Sequence, residues 1–429
     1  MSIQLLPQEL IDEIINYLED EWNLSPLISC NSVCLSFRAR SRPLLFKTIF
    51  LYSTESCRRF QEVLVTYPDV ASFPQRLDIL DPGFLEDEDI SMTWIAQDPV
   101  LPAILSSLSR LRTISLVSEP GYDDEGRQIH AFAIQRASDA LHNSLISAMR
   151  SPHLECIRLD GILVDSCHIL FSFLAGCGPS IKSLEVLSLW HDEEGDVGCC
   201  TGGLGLPVSI APRLQLRTCS IHVCECIVDY LLSHNSVVDM QSIWGLALHL
   251  RNARLGVRPR ASSLLTHIVS LVIEDSYNGM SLSLHNPSVV LTFDSERTPE
   301  IFDLGSCDNL RFLHFIPRVN ITKTNCWSYL ARTLATITRD ILETVSIDAY
   351  VDWLDSAIPS ASIIDEFNWT VLDSVLARPS MHNLKKVRLT LTTFSLPQNE
   401  QVDVVLKAGF PLLLKKGIKV QVSHMNLDG

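Results

Sequence analysis

Four soft metal-ligand side chains fall within the eight residues "CSIHVCEC": Cys219, His222, Cys224 and Cys226. Thiolates and imidazoles are the usual donors of zinc sites, so metal chemistry would first be sought here. Structural zinc sites, however, use two ligand pairs separated by a longer loop, and no second pair follows. Cys219 falls on an apolar position of a recurring strand pattern, and Cys226 enters the helix after it. The stretch is therefore read as strand and helix, with no metal ligand assigned and no cofactor expected. The glycines of "CCTGGLGLP" match neither G-x-x-x-x-G-K nor G-x-G-x-x-G, so they are read as a flexible loop rather than a phosphate cradle. Neither H-E-x-x-H nor G-x-S-x-G occurs. No catalytic residue is assigned, and the chain is read as non-catalytic.

Composition narrows the classes further. The 429 residues suffice for several domains or one extended repeat array. With 46% hydrophobic and 20% charged residues the chain is expected to pack a sizeable core. Its net charge of −16 opposes binding to phosphate backbones, so no nucleic-acid partner is expected. The acidic run Glu86–Asp89 is read as a solvated loop. No apolar run reaches the roughly 18 residues that a membrane helix needs, and the opening "MSIQLLPQEL" has no basic segment of a secretory signal. Thirteen scattered cysteines without paired spacing then read as reduced thiols, and the expected compartment is cytoplasmic or nuclear.

The elements that would position any site begin at the N-terminus. Pro7 suits the first position of a helix, and Glu9, Asp12 and Glu13 favour its early turns. Leu10, Ile14 and Leu18, with Ile11 and Ile15 beside them, make a broad apolar stripe. A second helix is predicted from Ser25 as N-cap and Pro26 as first residue, with Leu27, Cys30, Cys34 and Phe37 on one face and Val33 adjacent. Residues 1–25 hold six acids and no base, whereas Arg38, Arg40, Arg42 and Lys47 close the unit. Two such helices are too small to be stable alone, so they should dock on something or cap something larger.

This stretch resembles an F-box. The resemblance rests on the Leu-Pro pair, the Glu-Leu after it, the Ile-x-x-Tyr-Leu end of the first helix and the Val-Cys-x-x-Phe segment, across about residues 4–50. Phe37 stands where that family often has Trp, and Leu35 where it often has Arg or Lys. The resemblance implies a helical domain over residues 1–50 that docks a Skp-family adaptor and, through it, a cullin scaffold carrying the ubiquitin-transfer machinery. The adaptor-binding residues carried over by position are Leu6, Pro7, Leu10, Ile14, Leu18, Val33, Cys34 and Phe37. Some of these must also hold the domain's own core, and the sequence does not separate the two roles.

Beyond it, a six-residue pattern with apolar residues at its first, fourth and sixth places recurs. Copies begin at Phe46, Leu111, Leu154, Leu184 ("LEVLSL"), Leu216, Ile268, Leu310, Leu342 and Leu384, with looser ones at Pro74 and Gly417. Between them, "ASDALHNSLISAMRS", "SCHILFSFLAG", "CWSYLARTLATIT" and "WTVLDSVLARP" carry helical spacing. Alternating strands and helices predict an α/β fold in which residues 51–429 form a right-handed β–α solenoid with a curved parallel sheet. This part is similar to the irregular leucine-rich-repeat arrays of fungal-type F-box proteins; a doubly wound α/β domain is the alternative. A hairpin is expected within Ser276–Phe293 and a loop at Asp192–Pro207. Fifth and seventh pattern places should face away from the core, which nominates Arg158, Trp190, His222, Glu274, His314 and Arg388, with Asp348, as a surface for a protein substrate. The function implied is substrate recruitment to an SCF-type, cullin-based ubiquitin ligase, with a non-ligase protein-interaction scaffold as the alternative.

Overall fold

The computed structural model describes residues 7–18, 23–81, 93–118, 121–122, 128–129, 132–164, 167–187, 190–191, 213–222, 225–232, 236–249, 270–275, 303–305, 307–320, 325–352, 369–393 and 409–426. It is a mixed α/β structure divided into two compact units, Met1–Leu214 and Gln215–Gly429.

The first unit opens with α1 (Gln8–Tyr17), α2 (Ser25–Val33) and α3 (Leu35–Leu45). Pro7 is the residue before α1, and its carbonyl accepts the N–H groups of Leu10 and Ile11. Ser25 is the first residue of α2 rather than its cap; its N–H is taken instead by the Asn23 side chain at 3.2 Å. The single second helix expected from the apolar spacing is two helices. Cys34 adopts an extended backbone (φ −162°, ψ 174°) and breaks it. Ile11, Ile15, Leu27, Cys30 and Phe37 close into one buried cluster, with Leu18, Cys34, Leu44 and Leu45 packed against it. Arg40 ties α3 to α1 through the Asn16 side chain at 2.7 Å. Arg42 reaches beyond the three helices, donating to Asp69 at 3.0 Å with its guanidinium 4.8 Å above the Tyr67 ring.

A parallel sheet follows, made of β1 (Thr48–Leu51), β2 (Arg76–Asp81), β3 (Thr113–Ser118), β6 (Cys156–Asp160) and β8 (Ser183–Leu187). The two-residue strands β4 (Gly121–Tyr122) and β5 (Gln128–Ile129) pair antiparallel, and β7 (Leu163–Val164) and β9 (Trp190–His191) pair parallel, both outside it. Register aligns Ile49, Leu77, Ile114, Ile157 and Leu184 in one row and Leu51, Ile79, Leu116, Leu159 and Val186 in the next. All ten are buried, each stabilising the fold by about 1.5–3 kcal/mol. The copy placed at Leu184 is therefore shifted by three residues: Ile181, Leu184 and Val186 fill its first, fourth and sixth places. "LEVLSL" matches the spacing equally well, and only pairing with Ile157 decides between them.

Between strands lie α4 (Thr54–Thr66), α5 (Trp94–Gln97), α6 (Leu101–Ser107), α7 (Asp139–Met149) and α8 (Cys167–Ala175). A Ser53/Ser56 capping box starts α4, and Ser138 caps α7. Cys57, Phe60 and Leu64 of α4, and Leu141, Leu145 and Met149 of α7, are their buried stripes. Entry into each strand repeats one geometry. The carbonyls of Lys47, Gln75, Arg112 and Glu155 each accept two successive N–H groups from the following strand's first residues, at 2.7–3.0 Å. Gly161, just past β6, has φ +67°, and its N–H reaches the Leu187 carbonyl at 3.2 Å.

The second unit holds a seven-stranded parallel sheet: β10 (Thr218–His222), β11 (Gly245–His249), β12 (Ser270–Asp275), β13 (Phe312–Asn320), β14 (Thr344–Asp352), β15 (Lys386–Thr393) and β16 (Lys419–Asn426). Each strand pairs with the next along the chain, and the order never reverses. The same doubly accepting carbonyl recurs at Arg217, Arg311 and Glu343. The strand β11 escaped the sequence pattern search, although "IWGLAL" from Ile243 fits it and Ile243 and Leu246 are buried. Its helices are α9 (Glu225–Leu232), α10 (Asn325–Ala335), α11 (Trp369–Leu376) and α12 (Pro411–Lys415). Arg378 donates to the Leu334 and Ala335 carbonyls at 2.9 and 3.1 Å, satisfying the end of α10. The expected hairpin within 276–293, the loop at 192–207 and the acidic run at 86–89 lie outside the described residues.

Candidate functional site

On α1, residues one apart have opposite fates. Ile11 and Ile15 turn into the cluster, at 4% and 0% exposure, whereas Leu10 and Ile14 stay 45% and 43% exposed. Tyr17 extends the outer stripe at i+7 and is 90% exposed. Ile28 of α2 and Val33 and Leu35 beside the α2–α3 break are exposed as well. Three short helices thus bury one set of apolar side chains among themselves and leave a second set in water. Burying even half of such a side chain is worth about 1 kcal/mol, so this outer set suits a partner surface.

The structure separates the roles that spacing left merged. Among the residues carried over for adaptor binding, Pro7, Leu10, Ile14 and Val33 are exposed. Leu18 and Cys34 are half-buried against the cluster, and Phe37 belongs to the core itself. Leu6 lies outside the described residues. Tyr17, Ile28 and Leu35 were not nominated. The i, i+4, i+7 run from Leu10 would have found Tyr17, and the unpaired Ile28 beside core Leu27 gives the same signal on α2.

The second candidate surface is the sheet face turned away from the leucine rows. In the first unit, Arg158 donates to Asp160 at 3.0 Å and lies 3.9 Å from Glu185 across the β6–β8 pair. Arg76 holds Asp78 at 3.0 Å, and Asp78 and Ser115 are buried although they share this face. Trp190, expected on this face, lies instead in β9, paired with Leu163 of β7. The three-residue shift of its copy moves it off the sheet, and Glu185 and Leu187 take the fifth and seventh places.

In the second unit His314 Nε2 lies 2.7 Å from Asp348 Oδ2, joining β13 to β14, and each side chain is about one-third exposed. The Ser423 hydroxyl donates to Thr390 at 3.3 Å, and Arg388 is exposed. His222 and Glu274 are placed by backbone register alone: His222 is the partner of His249, and His249 of Glu274. Of the four candidate ligands in "CSIHVCEC", Cys224 lies outside the described residues and Cys219 has a described side chain. Cys219 is buried on the core face, and burial pushes its thiol up to about 12, which keeps it protonated at neutral pH. Position 222, three residues on, falls on the opposite face. Paired carboxylates and bases on a partly exposed sheet face suit recognition of a charged protein surface.

No family model matches the chain, and no curated protein matches it significantly. Among the described residues, no helix is long and apolar enough to cross a membrane.

Proposed function

We propose that this chain is an F-box protein that recruits a protein substrate to a cullin-based, SCF-type ubiquitin ligase. Its three N-terminal helices dock a Skp-family adaptor, and its strand–helix repeats form a leucine-rich-repeat-like solenoid that holds the substrate. The exposed stripe Leu10, Ile14 and Tyr17 beside a closed internal core carries the reading, because a helix that merely capped the repeats would bury that stripe. The unreversed strand order supports a solenoid over a doubly wound sheet, whose order reverses at a switch point. The chain supplies no chemistry of its own; it raises the local concentration of substrate beside the transfer machinery. Arg158, His314 and Arg388 contribute the polar part of the substrate surface.

Co-purification of the full chain with a Skp-family adaptor tests this. The parent should form a stoichiometric complex. Leu10→Asp/Ile14→Asp, which places two carboxylates in an apolar interface at a cost of several kcal/mol, should abolish it while the chain stays folded. A parent that stays alone in the presence of the adaptor overturns the proposal.

A further inference from the structure

We propose that the outer edge of β16 takes an acidic, extended segment of a partner protein as an added strand. Register sets Leu313, Val345, Val387 and Val420 in one row of the second unit and Phe315, Ile347, Leu389 and Val422 in the next. The first three members of each row are buried, but Val420 and Val422 are partly exposed. Both apolar rows thus run on to β16 and emerge into water there. Among the described residues no strand pairs with the far side of β16. The Lys419 N–H donates to the Lys385 carbonyl at 3.0 Å, so alternation turns the backbone N–H and C=O groups of Val420 and Val422 outward. Such groups need partners, and a row of them is a template for another strand.

Charge selects the occupant. Lys386 and Lys419 stand level on adjacent strands, and Arg388 lies two residues further along the same face. Arg388 and Lys419 are exposed, and Lys386 is partly so. Lys385 is held by Glu343 at 2.7 Å, whereas none of these three has an acidic partner among the described residues. Neither β15 nor residues 410–423 contain an acid, although the chain carries a net charge of −16. Like charges set level across a strand pair repel, and an anion beside them relieves that repulsion. Lysine on an edge strand also turns away uncharged, sticky strands, which leaves the edge selective for acid. The segment that fits therefore alternates, with apolar side chains extending the rows past Val420 and Val422 and carboxylates on the face of Lys419. Main-chain hydrogen bonds supply affinity and the alternation supplies specificity, as in other cases of strand addition. This names the class of substrate segment for the function proposed above; it rests on that reading only for the fate of the bound protein, and binding itself needs no adaptor.

Fluorescence anisotropy of a labelled peptide, EVEVEV, titrated with the full chain and no adaptor, tests the edge. The peptide should bind saturably, less tightly as salt rises from about 50 to about 500 mM, and the charge-reversed KVKVKV should not bind. Lys419→Glu, at an exposed position, should weaken binding about tenfold, and Arg110→Glu, at an exposed position of the first unit, should leave it unchanged. Two further peptides carry backbone N-methyl groups either on the valines or on the glutamates. One of them should fail to bind, because only one set of N–H groups faces β16. Absence of saturable binding, undiminished binding by Lys419→Glu, or equal binding of both methylated peptides would overturn the proposal. So would light scattering that finds the chain alone dimeric and the peptide excluded, which would assign the edge to a second copy. Failure here beside an intact adaptor complex strikes the edge alone and leaves the adaptor reading standing.

Discussion

Replacing Ile15 by aspartate should unfold the three N-terminal helices, whereas the same replacement at Ile14 should leave them folded. Ile15 is fully buried against Ile11, Leu27, Cys30 and Phe37. Removing its side chain costs about 2–5 kcal/mol for the lost packing. Forcing an unpaired carboxylate into the same space adds several kcal/mol more. A module of about forty residues has no such reserve. Ile14 is 43% exposed, so the same change there forfeits about 1 kcal/mol of partial burial and strands no charge. Limited proteolysis with mass mapping of cuts between residues 7 and 45 reads the difference, with melting of the remaining chain as control. Cuts in this region should appear at once for Ile15→Asp and at the parental rate for Ile14→Asp. Equal sensitivity of the two variants would refute the division into a core stripe and an outer stripe.

Gly161→Ala should destabilise the first unit by about 3 kcal/mol or more, because a Cβ there would stand 1.7 Å from the Ser118 carbonyl oxygen and the backbone sits at φ +67°; an unchanged denaturation midpoint would contradict this. Asp373 is 1% exposed and accepts the N–H groups of Leu412 and Leu413 at 2.8 and 3.0 Å, so Asp373→Ala should cost about 2–4 kcal/mol and Asp373→Asn less, measured by denaturant unfolding. Burial pushes the thiols of Cys57, Cys219 and Cys307 from 9.0 up to about 12, so between those values the unfolded chain holds fewer protons and stability must fall as pH rises. By pH 10 the loss is about 1 kcal/mol per thiol, and Cys219→Ala should lose correspondingly less between pH 8 and pH 10; an equal loss would rule out thiol ionisation as the cause.

Local patterns in the sequence determined much of this protein. Apolar spacing placed the strands at Ile114, Ile157, Leu313, Val345 and Val387, and the helices α7, α8, α10 and α11, because periods of two and of three to four residues reflect which face of an element is dry. Those patterns depend only on near neighbours. Where two frames fitted equally, as at Leu184, only pairing with the adjacent strand chose, and the choice moved Trp190 off the sheet. Which of Leu10, Ile11, Ile14 and Ile15 is core was likewise undecided until α3 packed on the helix and covered one stripe. Phe410 offers no cap for α12; Asp373, some forty residues earlier, supplies it. Positions 222, 249 and 274 stand level only because parallel pairing aligns three strands that are distant in sequence. Sequence distance says nothing of that, since hydrogen-bond register, not spacing along the chain, brings those residues together.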